Sequence, residues 1–185
     1  MNCNPVLIVG TTPDYVCRIS ASRPSTLFLL DERHRGNAFL ERTDPSRLIF
    51  APIADEELAV ARVVAYGEEA GIELAGVACF DCEALLLACA TAARIGKPFP
   101  EREGIIHARN KSASRRLWHE AGVPTPPAKV VSNPEDTVAF WKKAKRPVVL
   151  KPLSASGSEL LFLCGNAEEV EEAAEIMRIE LGRRH

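Results

Sequence analysis

An α/β fold, with a parallel Rossmann-like sheet covered by helices on both faces and a smaller α+β lobe after it, is predicted by three features of the 185-residue sequence. From Pro5 to about Pro100, short apolar runs alternate with helix-patterned stretches. Those runs are continuously apolar rather than alternating, as strands are when both faces of a sheet are buried, and such sheets are mostly parallel. After the segment PFPEREG, with two prolines and several charges, the pattern changes to helices and a strand pair joined by a short loop. The expected domains are therefore 1–103 and 104–185.

Each element follows from local chemistry. PVLIVG is a strand, PDYVCRIS a short helix or turn, STLFLLD a second strand and RLIFAP a third. DEELAVARVVAYGEEAG has helical periodicity, with Asp55 placed to cap its first turn. LAGVACF is the fourth strand, and EALLLACATAARIG an apolar helix ending at Gly96. In the second block, HARNKSASRRLWHEAG is a helix that Asn110 caps and Gly122 ends, and PPAKVV a short strand. NPEDTVAFWKKAKR is a helix with Asn133 as N-cap and Pro134 at its first position. VVLK, a loop of small residues, ELLFLC and a last helix from about Asn166 complete the chain. VVLK and ELLFL are expected to pair antiparallel.

Composition removes several classes of function. With 46% hydrophobic and 26% charged residues the chain is ordinary globular material. A formal net charge of -2 and the lack of a basic block argue against nucleic acid as a partner. No segment approaches the ~18 consecutive apolar residues of a membrane span, so no membrane partner is expected. The opening MNCNPVLIVG lacks the basic region and small-residue cleavage site of a signal peptide. Six cysteines, at 3, 17, 79, 82, 89 and 164, sit mostly inside apolar runs. Reduced thiols and a cytoplasmic location are the natural expectation.

Three candidate sites carry little chemistry. Gly10 at the end of the first strand, with Asp31 closing the second, has the outline of a dinucleotide site. The second and third glycines are missing and Pro13 occupies the loop, so Asp31 reads as a turn residue. Cys79-Phe-Asp-Cys82 is a C-x-x-C, but a structural zinc site needs four ligands and no second pair stands at suitable spacing. A redox role wants an exposed thiol at a helix start, a place open to Cys82; idle thiols are the plainer reading. His119 reads as a surface residue.

The second block carries the stronger signal. Asn110-Lys111 opens a helix, and about forty residues later Lys151 ends a strand just before PLSASGSE. Two lysines converging on one loop suit the negative charge of a nucleotide's phosphates. Ser154, Ser156 and Ser158 offer hydroxyl and backbone donors, Ala155 leaves the main chain approachable, and Gly157 admits a positive φ. The lysine precedes the loop instead of following it, so this is not a Walker A site.

In order, ARNK, AGVPTP, the helix, RPVVLKP and the Gly/Ser loop resemble the ATP-grasp family, from about residue 108 to 172. The block before them resembles the domain that precedes ATP-grasp lobes in carboxylate–amine ligases. The resemblance implies ATP with magnesium, which activates a carboxylate as an acylphosphate for attack by an amine or thiol. It places Lys111 and Lys151 on the α- and β-phosphates. The loop Ser154-Ala155-Ser156-Gly157-Ser158 would close over the β- and γ-phosphates. In that family two lobes grip ATP, and this sequence stops after the helix that ends the first. The adenine pocket and the magnesium ligands are thus expected outside the chain, which alone is expected to be inactive. Its partners would be ATP, small carboxylate and amine substrates in the complete protein, and a missing C-terminal lobe or a homo-oligomer. Glu159 stands where many relatives carry Arg or Gly. Two other readings compete: a non-catalytic nucleotide- or metabolite-binding module, and a dinucleotide-linked enzyme built on the first block.

Overall fold

The computed structural model describes residues 4–155 and 157–183. The chain divides into two compact units, 1–106 and 107–185.

The first unit is built on four parallel strands: β1 (Val6–Val9), β2 (Leu27–Asp31), β3 (Leu48–Ala51) and β4 (Gly76–Ala78). Their order is β3-β2-β1-β4, so the chain steps outward from β1 in one direction and then crosses to its other side. In register, Leu7 lies beside Leu27 and Val77, and Leu29 beside Ile49. Successive side chains leave a strand on opposite faces. One face holds Leu7, Val9, Leu27, Leu29 and Ile49; helices α2 (Glu56–Ala70) and α3 (Leu85–Arg94) cover it with Ala59, Val63, Leu87 and Ala88. The other face holds Ile8, Phe28 and Leu30, covered by Val16 of α1 (Pro13–Ser22) and by Leu40 of a single helical turn, Ala38–Leu40. Continuous apolar strands are thus satisfied, since neither face is left to water. Asp55 caps α2, its carboxylate accepting from the Leu58 N–H at 3.0 Å.

Two sequence expectations change at the junction. PFPEREG is not wholly a crossing, because α4 (Arg102–Arg109) begins two residues after Pro100. Its neighbour α5 (Lys111–Glu120) is a separate helix. Asn110 divides them by leaving helical geometry, φ −98° and ψ 107°, to cap α5.

In the second unit α6 (Pro134–Ala144) and α7 (Ala167–Gly182) pack on one face of an antiparallel pair, β5 (Val148–Leu150) and β6 (Phe162–Cys164). Leu150, Cys164, Val170, Ala173 and Ala174 form its core. Asn133 and Asn166 cap α6 and α7 by accepting from the Asp136 and Glu169 N–H groups at 2.7 and 2.9 Å. PPAKVV forms no strand. Pro126 and Pro127 bring no N–H to a ladder, and Val130 stays exposed. β6 is also shorter than ELLFLC, because Leu160 has φ +51° and ends the extended run before Phe162. Among the described residues no helix is long and apolar enough to cross a membrane.

Gly10 is required by contact as well as conformation. Its φ is +64°, and an added Cβ would lie 2.1 Å from Ala84 Cβ. Gly10→Ala is expected to cost about 1–3 kcal/mol in chemical denaturation. Gly36→Ala, with φ +78° and nothing within 4 Å of the added carbon, should lose less.

Candidate functional site

The site begins at the Asn110 cap. Asn110 Oδ1 accepts from the Ser112 and Ala113 N–H groups, both at 3.0 Å, which fixes the first turn of α5. Ser114 Oγ donates to the His107 carbonyl at 2.8 Å and ties that turn back to the end of α4. Lys111 therefore stands at the first position of a helix, where the dipole favours an acid and disfavours a cation. Helix stability does not account for a lysine there.

Its contacts do. The Lys111 N–H donates to the Leu153 carbonyl at 3.0 Å, and its ammonium donates to the Ala155 carbonyl at 2.9 Å and the Leu153 carbonyl at 3.4 Å. One residue thus holds the start of the loop from both its backbone and its side chain. The loop leaves β5 through half-buried Lys151 and buried Pro152. Farther on, Gly157, Ser158 and Leu160 have φ of +64°, +60° and +51°. Residues other than glycine rarely hold such angles, which cost on the order of 1–3 kcal/mol each.

Charge accumulates here. Burial is the main cause that pushes the Lys111 ammonium below the ordinary lysine range, and the nearby charges of Lys151 and Arg109 push it in the same direction. The Lys151 side chain has no hydrogen bond or ion pair with another described residue. Carbonyl oxygens satisfy the Lys111 donors without neutralising its charge. The cluster is therefore one an anion would relieve.

The structure brings Lys111, Lys151, Ser154 and Ala155 to one end of the strand pair, with Gly157 and Ser158 farther along the loop. Ser156 lies outside the described residues. Arg109, as a third cation, and the Leu153 carbonyl, as the anchor for Lys111, were not expected. The arginine is visible in the sequence as the first letter of R-N-K; the carbonyl has no side-chain signature. The alternative candidates have local roles. Asp31 accepts from the Arg33 N–H at 3.0 Å, as a turn residue does, and Gly10 serves packing. His119 is exposed near the end of α5. Glu169 is engaged in the α7 cap, where its carboxylate accepts from the Gly165 N–H at 2.6 Å. Among the described residues no group of three or more His, Cys, Asp or Glu is placed to hold a metal ion.

A parallel four-stranded domain followed by helices around an antiparallel pair matches part of an ATP-grasp fold, and solved structures agree over nearly the whole chain. An L-amino acid ligase from Bacillus licheniformis is 19% identical with a TM-score of 0.67, covering 96% of this chain and 43% of its own. The biotin carboxylase domain of Hydrogenobacter thermophilus 2-oxoglutarate carboxylase, solved with magnesium ADP, ADP and bicarbonate, is 21% identical with a TM-score of 0.61. That match covers 94% of this chain and 41% of the carboxylase domain. No protein-family model matches the sequence. An uncharacterized protein of Sinorhizobium fredii, y4rH, is 33% identical over 88 residues, 48% of this chain and 18% of that protein. The chain thus spans less than half the length of the proteins it matches.

The electrostatics can be read directly. In an NMR titration of lysine side-chain shifts, Lys111 should titrate below the ordinary value of about 10.4. In Lys151→Ala its midpoint should rise, because a neighbouring positive charge that disfavours the ammonium is gone. An unchanged midpoint would show that the two cations do not interact.

Proposed function

We propose that the second unit holds the phosphates of ATP, as one side of the site of an ATP-dependent ligase that activates a carboxylate. The observation that supports this reading best is the meeting of Lys111 and Lys151 at one loop, whose carbonyls satisfy the Lys111 ammonium without neutralising its charge. Lys111 and Lys151 contact the α- and β-phosphates. The backbone N–H groups and hydroxyls of the described loop residues, Ser154, Ala155, Gly157 and Ser158, face the β- and γ-phosphates and keep water from the transferred group. The γ-phosphoryl passes to a carboxylate oxygen as its bond to ADP breaks; an amine or thiol then attacks the acyl carbon and releases phosphate. Cations held along the phosphate chain stabilise the charge that builds on the departing ADP.

Among the described residues no group of three or more His, Cys, Asp or Glu is placed for a metal ion, so in this reading the magnesium ligands come from outside the chain. The adenine likewise needs a second lobe to close against the strand pair, either from the remainder of a longer protein or from another copy of this chain.

This predicts weak binding by the 185 residues alone. Exposed ion pairs contribute roughly 0–1 kcal/mol each, against about 8 kcal/mol for micromolar affinity. Isothermal titration with magnesium ATP should give a dissociation constant near millimolar, several-fold weaker in Lys151→Ala, with no ligation of any carboxylate and amine. Binding unaffected by Lys151→Ala would place ATP elsewhere. Micromolar affinity or release of ADP would show that no second lobe is needed.

A further inference from the structure

The first unit holds a second group of reactive side chains, independent of the phosphate-binding reading. Cys79 follows the last residue of β4, and Cys82 opens a single helical turn, Cys82–Ala84, capped by the Asp81 carboxylate. Cys82 is exposed and Cys79 half-buried. The Cys79 thiol donates to the Asp81 carbonyl at 3.1 Å, and the Ala84 N–H donates to the same oxygen at 3.1 Å. Peptide planarity holds that oxygen about 2.8 Å from the Cys82 Cα, so the Cys79 sulfur lies within about 6 Å of that carbon. A rotation of the exposed Cys82 side chain, with a small closing of the turn, spans what remains to a disulfide. No third metal-ligating side chain completes a site around the pair among the described residues.

We propose that Cys79 and Cys82 form a reversible intramolecular disulfide by exchange with a low-molecular-weight disulfide. The exposed Cys82 acts first: its thiolate attacks one sulfur of the reagent, a mixed disulfide forms, and the other half leaves as a thiolate. Cys79 then gives its proton to solvent and attacks Cys82 Sγ, expelling the second half. Two protein thiols are oxidised and one disulfide reagent is reduced to two thiols. Burial, the main cause, and the charge of Asp81 hold the Cys79 thiol above the ordinary range. That makes Cys79 the slower entry point and fits it to the resolving role. The turn is not isolated, since the Cβ position of Gly10 falls against Ala84 and Asp81. Closing the bond therefore bears on the turn between β1 and α1, beside the point where the order of the sheet reverses.

Incubation of the whole chain with glutathione disulfide, followed by intact mass and peptide mapping, tests the proposal. The expected product is a 79–82 linkage that retains no glutathione and is reversed by a dithiol. Cys79→Ser should keep glutathione on Cys82, while Cys82→Ser should leave Cys79 largely reduced. Glutathione retained on Cys82 in the unmodified sequence, linkage of either residue to Cys17 or Cys89, or no loss of thiols at both positions would overturn it.

Discussion

An apolar strand has two faces, and each must be covered or left to water; the two units meet that constraint differently. In the first, Leu7, Leu29 and Ile49 point to one helical layer while Ile8, Phe28 and Leu30 point to another. At about 1.5–3 kcal/mol for each large side chain buried, these strands drive the unit's assembly. In the second, α6 and α7 cover one face only. Val149 and Leu163, paired in register, are 51% and 71% exposed on the other. By the two-residue repeat, Lys151 falls on that same side. The uncovered face and the cationic loop are thus parts of one surface.

The loop shows how a charge is kept where local energetics oppose it. A lysine at the first position of α5 works against the helix dipole, and Lys151 and Arg109 add repulsion. Three hydrogen bonds to carbonyls of the loop compensate, two from the ammonium and one from the backbone. A Lys111 ammonium satisfied by neutral carbonyls is stable as it stands, yet would gain further from an anion. The proposed hold on phosphate rests on that imbalance rather than on any single residue.

Much of the candidate site was legible because its parts are written in side chains at characteristic positions. Lys111 after a capping Asn110, and Lys151 at the end of a β-branched run, announce themselves without coordinates. The anchor for Lys111 was not legible. It is a main-chain carbonyl at Leu153, 42 residues away, and every residue has one. The left-handed angles at Ser158 and Leu160 were hidden for a similar reason, since nothing in those side chains favours them. The same difficulty explains the overlong reading of ELLFLC, in which apolar composition suggested extension and the turn took the first residues.

By itself the sequence determined what depends on contacts a few residues apart: the caps at Asp55, Asn110 and Asn133, most of the strand and helix types, and the parallel first sheet implied by two-sided apolar runs. These are hydrogen bonds between neighbours in the chain, or patterns of burial that repeat with the geometry of one element. Tertiary structure decided the rest. It left PPAKVV outside the sheet, split a helix at Asn110, pressed Gly10 against Ala84, and turned the Lys111 ammonium onto the loop. Each of these depends on whether a distant partner arrives, and a partner's arrival is set by how whole elements pack.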